Sequence, residues 1–213
     1  MALYDTIIDF ELAEIVAELE LPLRIVKPLK SLKSGDGLYD FNLQKDNINK
    51  QRFVKSAAVN SSVLFKQLAG KPLILFFYSA AWQERGVQYL TQLNSINCEI
   101  AKLGVNLLVE SPDEGGQLLE QTIWDNSLYL NFYSDQENIL ARKFGIYSDE
   151  DPAWDKYSGI DVNVPLLSVY MLNADNQIIF DHIDRDLEGP LPSSVILDAV
   201  NSEVSLSQKR KSA

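Results

Sequence analysis

The sequence predicts an α/β domain of three layers, with helices packed on both faces of a mixed central sheet. Three observations predict it. The continuous apolar run Leu73–Tyr78 and the largely apolar Val105–Val109 suit strands buried on both faces. Amphipathic helical segments separate such runs, which argues for parallel strands joined by crossovers. Further on, the alternation gives way to two strand-like runs, Leu166–Leu172 and Gln177–Ile183. They are joined by Asn173-Ala174-Asp175-Asn176, a turn-type tetrapeptide that reads as a β-hairpin.

Each element follows in chain order. Residues 3–20 read as an amphipathic helix, with Ile8, Leu12, Ile15 and Leu19 on one side and Glu11, Glu14 and Glu18 on the other. It packs on its own domain or docks on a partner. Pro22 and Pro28 turn the chain into an extended connection, so residues 1–32 form an N-terminal helix and linker. The stretch 30–62 is mixed and polar, and Ser61–Leu68 reads as a short helix before Gly70-Lys71-Pro72. After the first buried run a long helix covers Gln83–Leu103, with Val87, Leu90, Leu93, Ile100 and Ala101 along one side and Gly104 ending it. Pro112 and Asp113 begin a helix running to Asp125. Leu128–Tyr133 is a third strand, and Gln136–Phe144 a helix stopped by Gly145. A last helix covers Ser193–Val200, and residues 204–213, with Gln208-Lys209-Arg210-Lys211, form a flexible basic tail. A βαβ half, a hairpin and a closing helix make up the layout of the thioredoxin fold, here over residues 33–203.

Composition narrows the function classes. The 213 residues carry 30 acidic and 19 basic side chains, a formal net charge of −11. Such a surface repels phosphate backbones and anionic membranes, so neither nucleic acid nor membrane is an expected partner. The acidic surplus itself reads as a solubility device. The start of the sequence shows no basic n-region with a following apolar segment, and no apolar run is long enough to cross a bilayer. A soluble, cytoplasmic protein is expected. One cysteine, Cys98, leaves no intrachain disulfide or thiolate cluster, and one histidine, His182, argues against a His-based metal site or a Ser-His-Asp triad. The segment Tyr147–Asn163 clusters Asp149, Glu150, Asp151, Asp155 and Asp161 beside Trp154 and Tyr157. Its spacing fits no EF-hand and it reads as a solvated surface insertion. No metal and no cofactor are expected.

Four segments carry a family resemblance. Gly35-Asp36-Gly37-Leu38-Tyr39-Asp40-Phe41-Asn42-Leu43 resembles the Gly-Asp-x-x-Pro-Asp-Phe-x-Leu segment of the AhpC/TSA peroxiredoxins (alkyl hydroperoxide reductase / thiol-specific antioxidant), with Tyr39 where proline is usual. Lys71–Trp82 resembles the family's central strand and the loop after it, a loop that ends in Trp-Cys-Pro-x-Cys in a common branch. Ser134–Ile146 is similar to its Ser-Asp-x-x-x-x-x-Ala-x-x-Phe-Gly-hydrophobic segment. Val164-Pro165 looks like the cis-proline position of thioredoxin folds. The resemblance covers residues 33–200.

The departure from the family is sharper than the match. After Trp82 the chain reads Gln83-Glu84-Arg85-Gly86, so the resemblance puts Gln83 at the peroxidatic cysteine and Gly86 at the second cysteine. A cysteine works at a helix start because the unpaired N–H groups and the helix dipole lower its pKa. Its thiolate then attacks the peroxide O–O bond and becomes a sulfenic acid. A glutamine amide has no such chemistry. Cys98 lies fifteen residues further along the same helix, ~22 Å at the standard rise. Near Val87 on the helical wheel, it reads as a semi-buried structural residue.

If the fold holds, Tyr78, Trp82, Gln83, Arg85 and Pro165 gather at the C-terminal end of the sheet, where open α/β sheets form ligand sites. Trp82 would offer an apolar face, Gln83 a donor and acceptor, and Arg85 an anion fork. They are the candidate ligand-binding residues, with no catalytic residue among them. Arg185 cannot be aligned with the family's thiolate-holding arginine.

Three functions compete. The chain is a non-catalytic homologue that binds a small ligand or partner protein, an oxidoreductase working through Cys98 or a partner cysteine, or a dimerisation module built on the N-terminal helix or the acidic insertion. A homodimer fits the first and third.

Overall fold

The apolar runs do become the sheet. The structure is a computed structural model and describes residues 28–38, 48–49, 70–112 and 117–211. The helices expected at 3–20 and Ser61–Leu68 lie outside the described residues. Six strands pair in the order β1-β4-β3-β2-β5-β6: β1 (Ile48–Asn49), β2 (Leu73–Phe77), β3 (Asn106–Ser111), β4 (Asn131–Ser134), β5 (Ser168–Leu172) and β6 (Ile178–Ile183). Strands β2, β3 and β4 are parallel. The hairpin strand β5 runs antiparallel to both β2 and β6, and β1 antiparallel to β4. Every residue of β2 and β5 is buried, as strands covered on both faces require.

Among the described residues four helices cover the sheet: α1 (Gln83–Lys102), α2 (Gln117–Asp125), α3 (Ile139–Lys143) and α4 (Ser193–Lys211). Alternation along the strands sorts the core into two sides. Ile74, Phe76, Val109, Val169 and Met171 meet Tyr89, Leu90 and Leu93 of α1, Ile123 of α2 and Ile196 and Val200 of α4. Leu75, Phe77, Leu108 and Tyr170 meet Leu140 and Ala141 of α3 and Phe144 at its C-cap. Phe77, Phe144 and Tyr170 form an aromatic cluster on that side, with ring centroids 4.7–6.0 Å apart. The three-layer arrangement is the one the sequence predicts.

Several boundaries differ. Helix α3 begins at Ile139 rather than Gln136, because Asn138 is left-handed (φ 54) and the buried Asp135 carboxylate caps the first turn through the N–H groups of Ile139 and Leu140. Gly145 (φ 66) ends it, and any Cβ there would collide with the Lys30 carbonyl oxygen. Helix α4 continues to Lys211, past Val200, so residues 204–211 are helical rather than a free tail. No glycine or proline interrupts this stretch, the Glu203 side chain is buried, and Val204 still packs on the core.

The acidic insertion is not wholly a solvated loop. Asp151 is buried, accepting from the Leu29 N–H (3.0 Å) and Lys156 Nζ (2.5 Å). Cys98 is exposed rather than semi-buried. The buried stripe of α1 is Gly86, Tyr89, Leu90, Leu93 and Ile100. At 100° per residue Cys98 falls about 135° from its centre, and its wheel neighbour Val87 is itself only half-buried.

Candidate functional site

The candidate site is built where β2 runs into α1. After Phe77 the chain leaves the sheet at Tyr78, whose N–H donates to the Glu110 carbonyl (2.9 Å). Ser79 is extended, and its hydroxyl accepts from the Ala81 N–H, capping one turn of 3-10 helix over Ala80–Trp82. Gln83 opens α1 directly afterwards, at φ 47 and ψ −134, a conformation that favours glycine.

Four of the five candidate side chains converge here. Trp82 is buried, donates from its indole N–H to the Pro165 carbonyl (2.9 Å), and meets Tyr157 edge-to-face with centroids 5.2 Å apart. Tyr78 is buried beneath α1, and its ring fills the space over Gly86. A Cβ at Gly86 would stand 2.7 Å from Tyr78 Cε2 and 3.2 Å from Trp82 Cβ. The exposed Gln83 donates from its amide nitrogen to the Gly159 carbonyl (3.1 Å). Tyr78 and Trp82 are thus core residues, and Trp82 does not offer the open face that its position suggests. The cis peptide expected at Val164–Pro165 is absent, since all peptide bonds among the described residues are trans. The trans arrangement accompanies a Pro165 carbonyl that the Trp82 indole holds in a buried hydrogen bond.

Arg85 turns away from this group and is not solvated. Its Nε and one terminal nitrogen reach Asp184 Oδ2 at 2.7 and 2.6 Å. The same terminal nitrogen contacts the Glu188 carbonyl (2.9 Å) and the Tyr89 hydroxyl (3.3 Å), and the guanidinium lies 4.7 Å from the Tyr89 ring centroid. Tyr89, one helical turn on, shares its hydroxyl with His182 Nε2 at 3.2 Å. Burial, and then the charge of Asp184, push the Tyr89 phenol up to about 12 against the opposing pull of Arg85. Burial also lowers the His182 pKa, with Arg85 acting the same way and Asp184 and Asp181 opposing it. Sequence reading set His182 aside and did not single out Tyr89 or Asp184. The Arg85–Tyr89 spacing of four residues marks one helix face, but the partners on and after β6 come into reach only through the sheet order. Arg185 donates to the Ser31 hydroxyl (3.1 Å), away from this group.

Among the described residues no three His, Cys, Asp or Glu side chains lie close enough together to hold a metal ion. The same residues include no helix long and apolar enough to cross a membrane.

The AhpC/TSA family model matches residues 35–182, more than half of the chain. The chain belongs to the AhpC/TSA family. No curated protein sequence matches it. Among solved structures it is similar to AhpC of Mycobacterium tuberculosis, at 13% identity and a TM-score of 0.59, over 81% of this chain and 93% of that one. A cysteine-to-serine variant of Xylella fastidiosa PrxQ gives 13% identity and 0.58, over 81% of this chain and 98% of that one. The Xanthomonas campestris bacterioferritin comigratory protein, described for alkyl peroxide reduction, gives 18% and 0.52, over 66% of this chain and 84% of that one. At these identities the likeness shows a thioredoxin-like fold. The AhpC/TSA match also takes in β1–β5 and β6 through His182, so the Gln83 turn lies inside it.

Proposed function

We propose that this AhpC/TSA protein is a non-catalytic member of its family, acting by binding a small polar ligand or a partner protein rather than by turning over peroxide. The observation that carries the reading is the start of α1. The resemblance puts Gln83 at the reactive cysteine, and its amide nitrogen donates to the Gly159 carbonyl. Gly86, which the resemblance puts at the second-cysteine position, lies under the Tyr78 ring, where any side chain meets a tight contact. The one thiol, Cys98, sits about four turns along α1. The dipole effect that activates a thiolate fades within the first turn. Reaction with peroxide needs that thiolate, and disulfide exchange needs two sulfurs.

The reading keeps Tyr78, Trp82, Gln83, Arg85 and Pro165 as the binding region, and takes the protein as cytoplasmic with a homodimer as its candidate assembly. Light scattering on the full chain tests the homodimer. A second reading, thiol chemistry through Cys98, draws on that residue's exposure. One assay separates the two: consumption of hydrogen peroxide and of an alkyl hydroperoxide with dithiothreitol as reductant. Rates equal to the reductant alone, unchanged by Cys98→Ser, support the binding reading. Turnover abolished by Cys98→Ser overturns it.

A further inference from the structure

We propose that residues 156–165 form a strap closed over the start of α1, with the Gln83 side chain as its latch and the Gln83 backbone as a strained element opposing it. The connection between α3 and β5 contains one turn of 3-10 helix, Ala153–Asp155. Its base is fixed. Asp151 is buried against Leu29 and Lys156, and the Asn163 side chain accepts from the Ala153 N–H (3.1 Å) and donates to the Ser148 carbonyl (3.0 Å). At the C-terminal end Val164, Pro165 and Leu166 are buried.

The tip between these anchors is held differently. Ser158, Gly159, Asp161 and Val162 are exposed, and only Ile160 and half of Tyr157 pack inward. Tyr157 meets Trp82 edge-to-face, and the Gly159 carbonyl accepts from Gln83 through an exposed hydrogen bond. Closure of the tip, 157–162, therefore rests on a small apolar anchor and one bond within reach of water, while the buried bond from the Trp82 indole to the Pro165 carbonyl holds the C-terminal anchor.

The other partner in that bond is held in a costly conformation. Gln83 sits at φ 47 and ψ −134, where a Cβ is disfavoured. Latch and strain meet in one residue and act in opposite directions. The latch bond favours the closed strap, and relaxation of the backbone favours the open one. Opening uncovers the part of Trp82 that Tyr157 covers, beside the already exposed Gln83 and Glu84. The device is a property of the fold and does not depend on what the uncovered surface binds.

Two substitutions separate latch from strain. Gln83→Ala removes the bond and keeps the strained backbone; Gln83→Gly removes both. The reading is amide hydrogen exchange at 157–161 in the full chain. Gln83→Ala is expected to speed exchange there about fivefold, the factor corresponding to about 1 kcal/mol, while amides of β5 stay at the wild-type rate. Gln83→Gly is expected to exchange more slowly than Gln83→Ala. Acrylamide quenching of Trp82, in a background with Trp124→Phe and Trp154→Phe, should rise in the same order. Wild-type exchange in Gln83→Ala overturns the latch, and Gln83→Gly equal to or faster than Gln83→Ala overturns the strain. Neither readout involves peroxide turnover, so the strap and the binding reading fail separately.

Discussion

Placing a methyl group on Gly86 probes the packing that closes the candidate site. The added Cβ would lie 2.7 Å from Tyr78 Cε2, 3.1 Å from Tyr78 Cδ2 and 3.2 Å from Trp82 Cβ. Carbon atoms pack best at about 3.5–4.0 Å, so all three contacts are repulsive or tight. The Tyr78 ring is buried, with the Phe76 ring as a neighbour at 6.2 Å, so any movement to relieve the contact disturbs the core. Overpacking of this kind costs about 1–3 kcal/mol. Replacing glycine by alanine inside a helix returns about 1 kcal/mol. Gly86→Ala should therefore be neutral to about 2 kcal/mol destabilising. At roughly 2–4 °C per kcal/mol for a chain of this size, Tm falls by up to about 8 °C. Urea or thermal denaturation followed by far-UV circular dichroism reads the change. In a Tyr78→Leu background the two ring contacts are gone and only Trp82 Cβ stays close, so the same substitution should be less destabilising than in the wild type, by about 1 kcal/mol. Stabilisation by Gly86→Ala in the wild-type background would refute the packing argument. Gly86→Cys meets the same obstruction with a larger side chain, so restoring a thiol there disturbs Tyr78.

Asp184→Asn leaves the Arg85 guanidinium poorly compensated beside a buried residue. It should cost about 3–5 kcal/mol in chemical denaturation, and Arg85→Met combined with it should cost less than the two singles summed. His182 is the only histidine, so its ring protons can be followed alone by NMR. It should titrate below 6.5, as burial disfavours the charged ring. The unfolded chain then binds that proton more readily. Stability present above pH 6.5 is lost as pH falls through the folded-state pKa, and a His182 midpoint above 6.5 would contradict this. Cys98 should react with a thiol reagent in the native state at nearly the rate of the unfolded chain, since it is exposed; strong protection would contradict its placement.

The sheet was legible because its physics is local. Leu73–Phe77 is apolar at every position, and a strand buried on both faces demands that. The Asn173–Gln177 turn was legible from its residue types. The Asn173 Oδ1 accepts from the N–H groups of Asp175 and Gln177, the self-bonding that makes Asn a turn residue. Where sequence reading stopped short, the deciding interaction came from a distant residue or from small energetic differences. The end of α4 has no punctuating glycine or proline, and its continuation rests on Glu203 and Val204 finding partial burial. Asp151 looked like one acid among five in a polar loop. Its burial depends on Leu29, which lies 122 positions away.

The candidate site divides along the same line. That Trp82, Gln83 and Pro165 come together followed from the strand–turn–helix order, which places the loop after β2 at the sheet's C-terminal end. That Tyr78 fills the Gly86 position, and that Arg85 is tied to Asp184, did not follow. Both depend on side-chain directions set by packing. The Gly86 contact carried one signal in the sequence: a glycine in the first turn of an otherwise well-formed helix, which often marks a close approach.

The most direct test of a non-catalytic AhpC/TSA protein is peroxide turnover under saturating reductant, measured on the wild-type chain and on Cys98→Ser. Both should consume hydrogen peroxide and alkyl hydroperoxide no faster than the reductant alone. A wild-type rate well above that background, lost in Cys98→Ser, would contradict the reading and make Cys98 the working thiol.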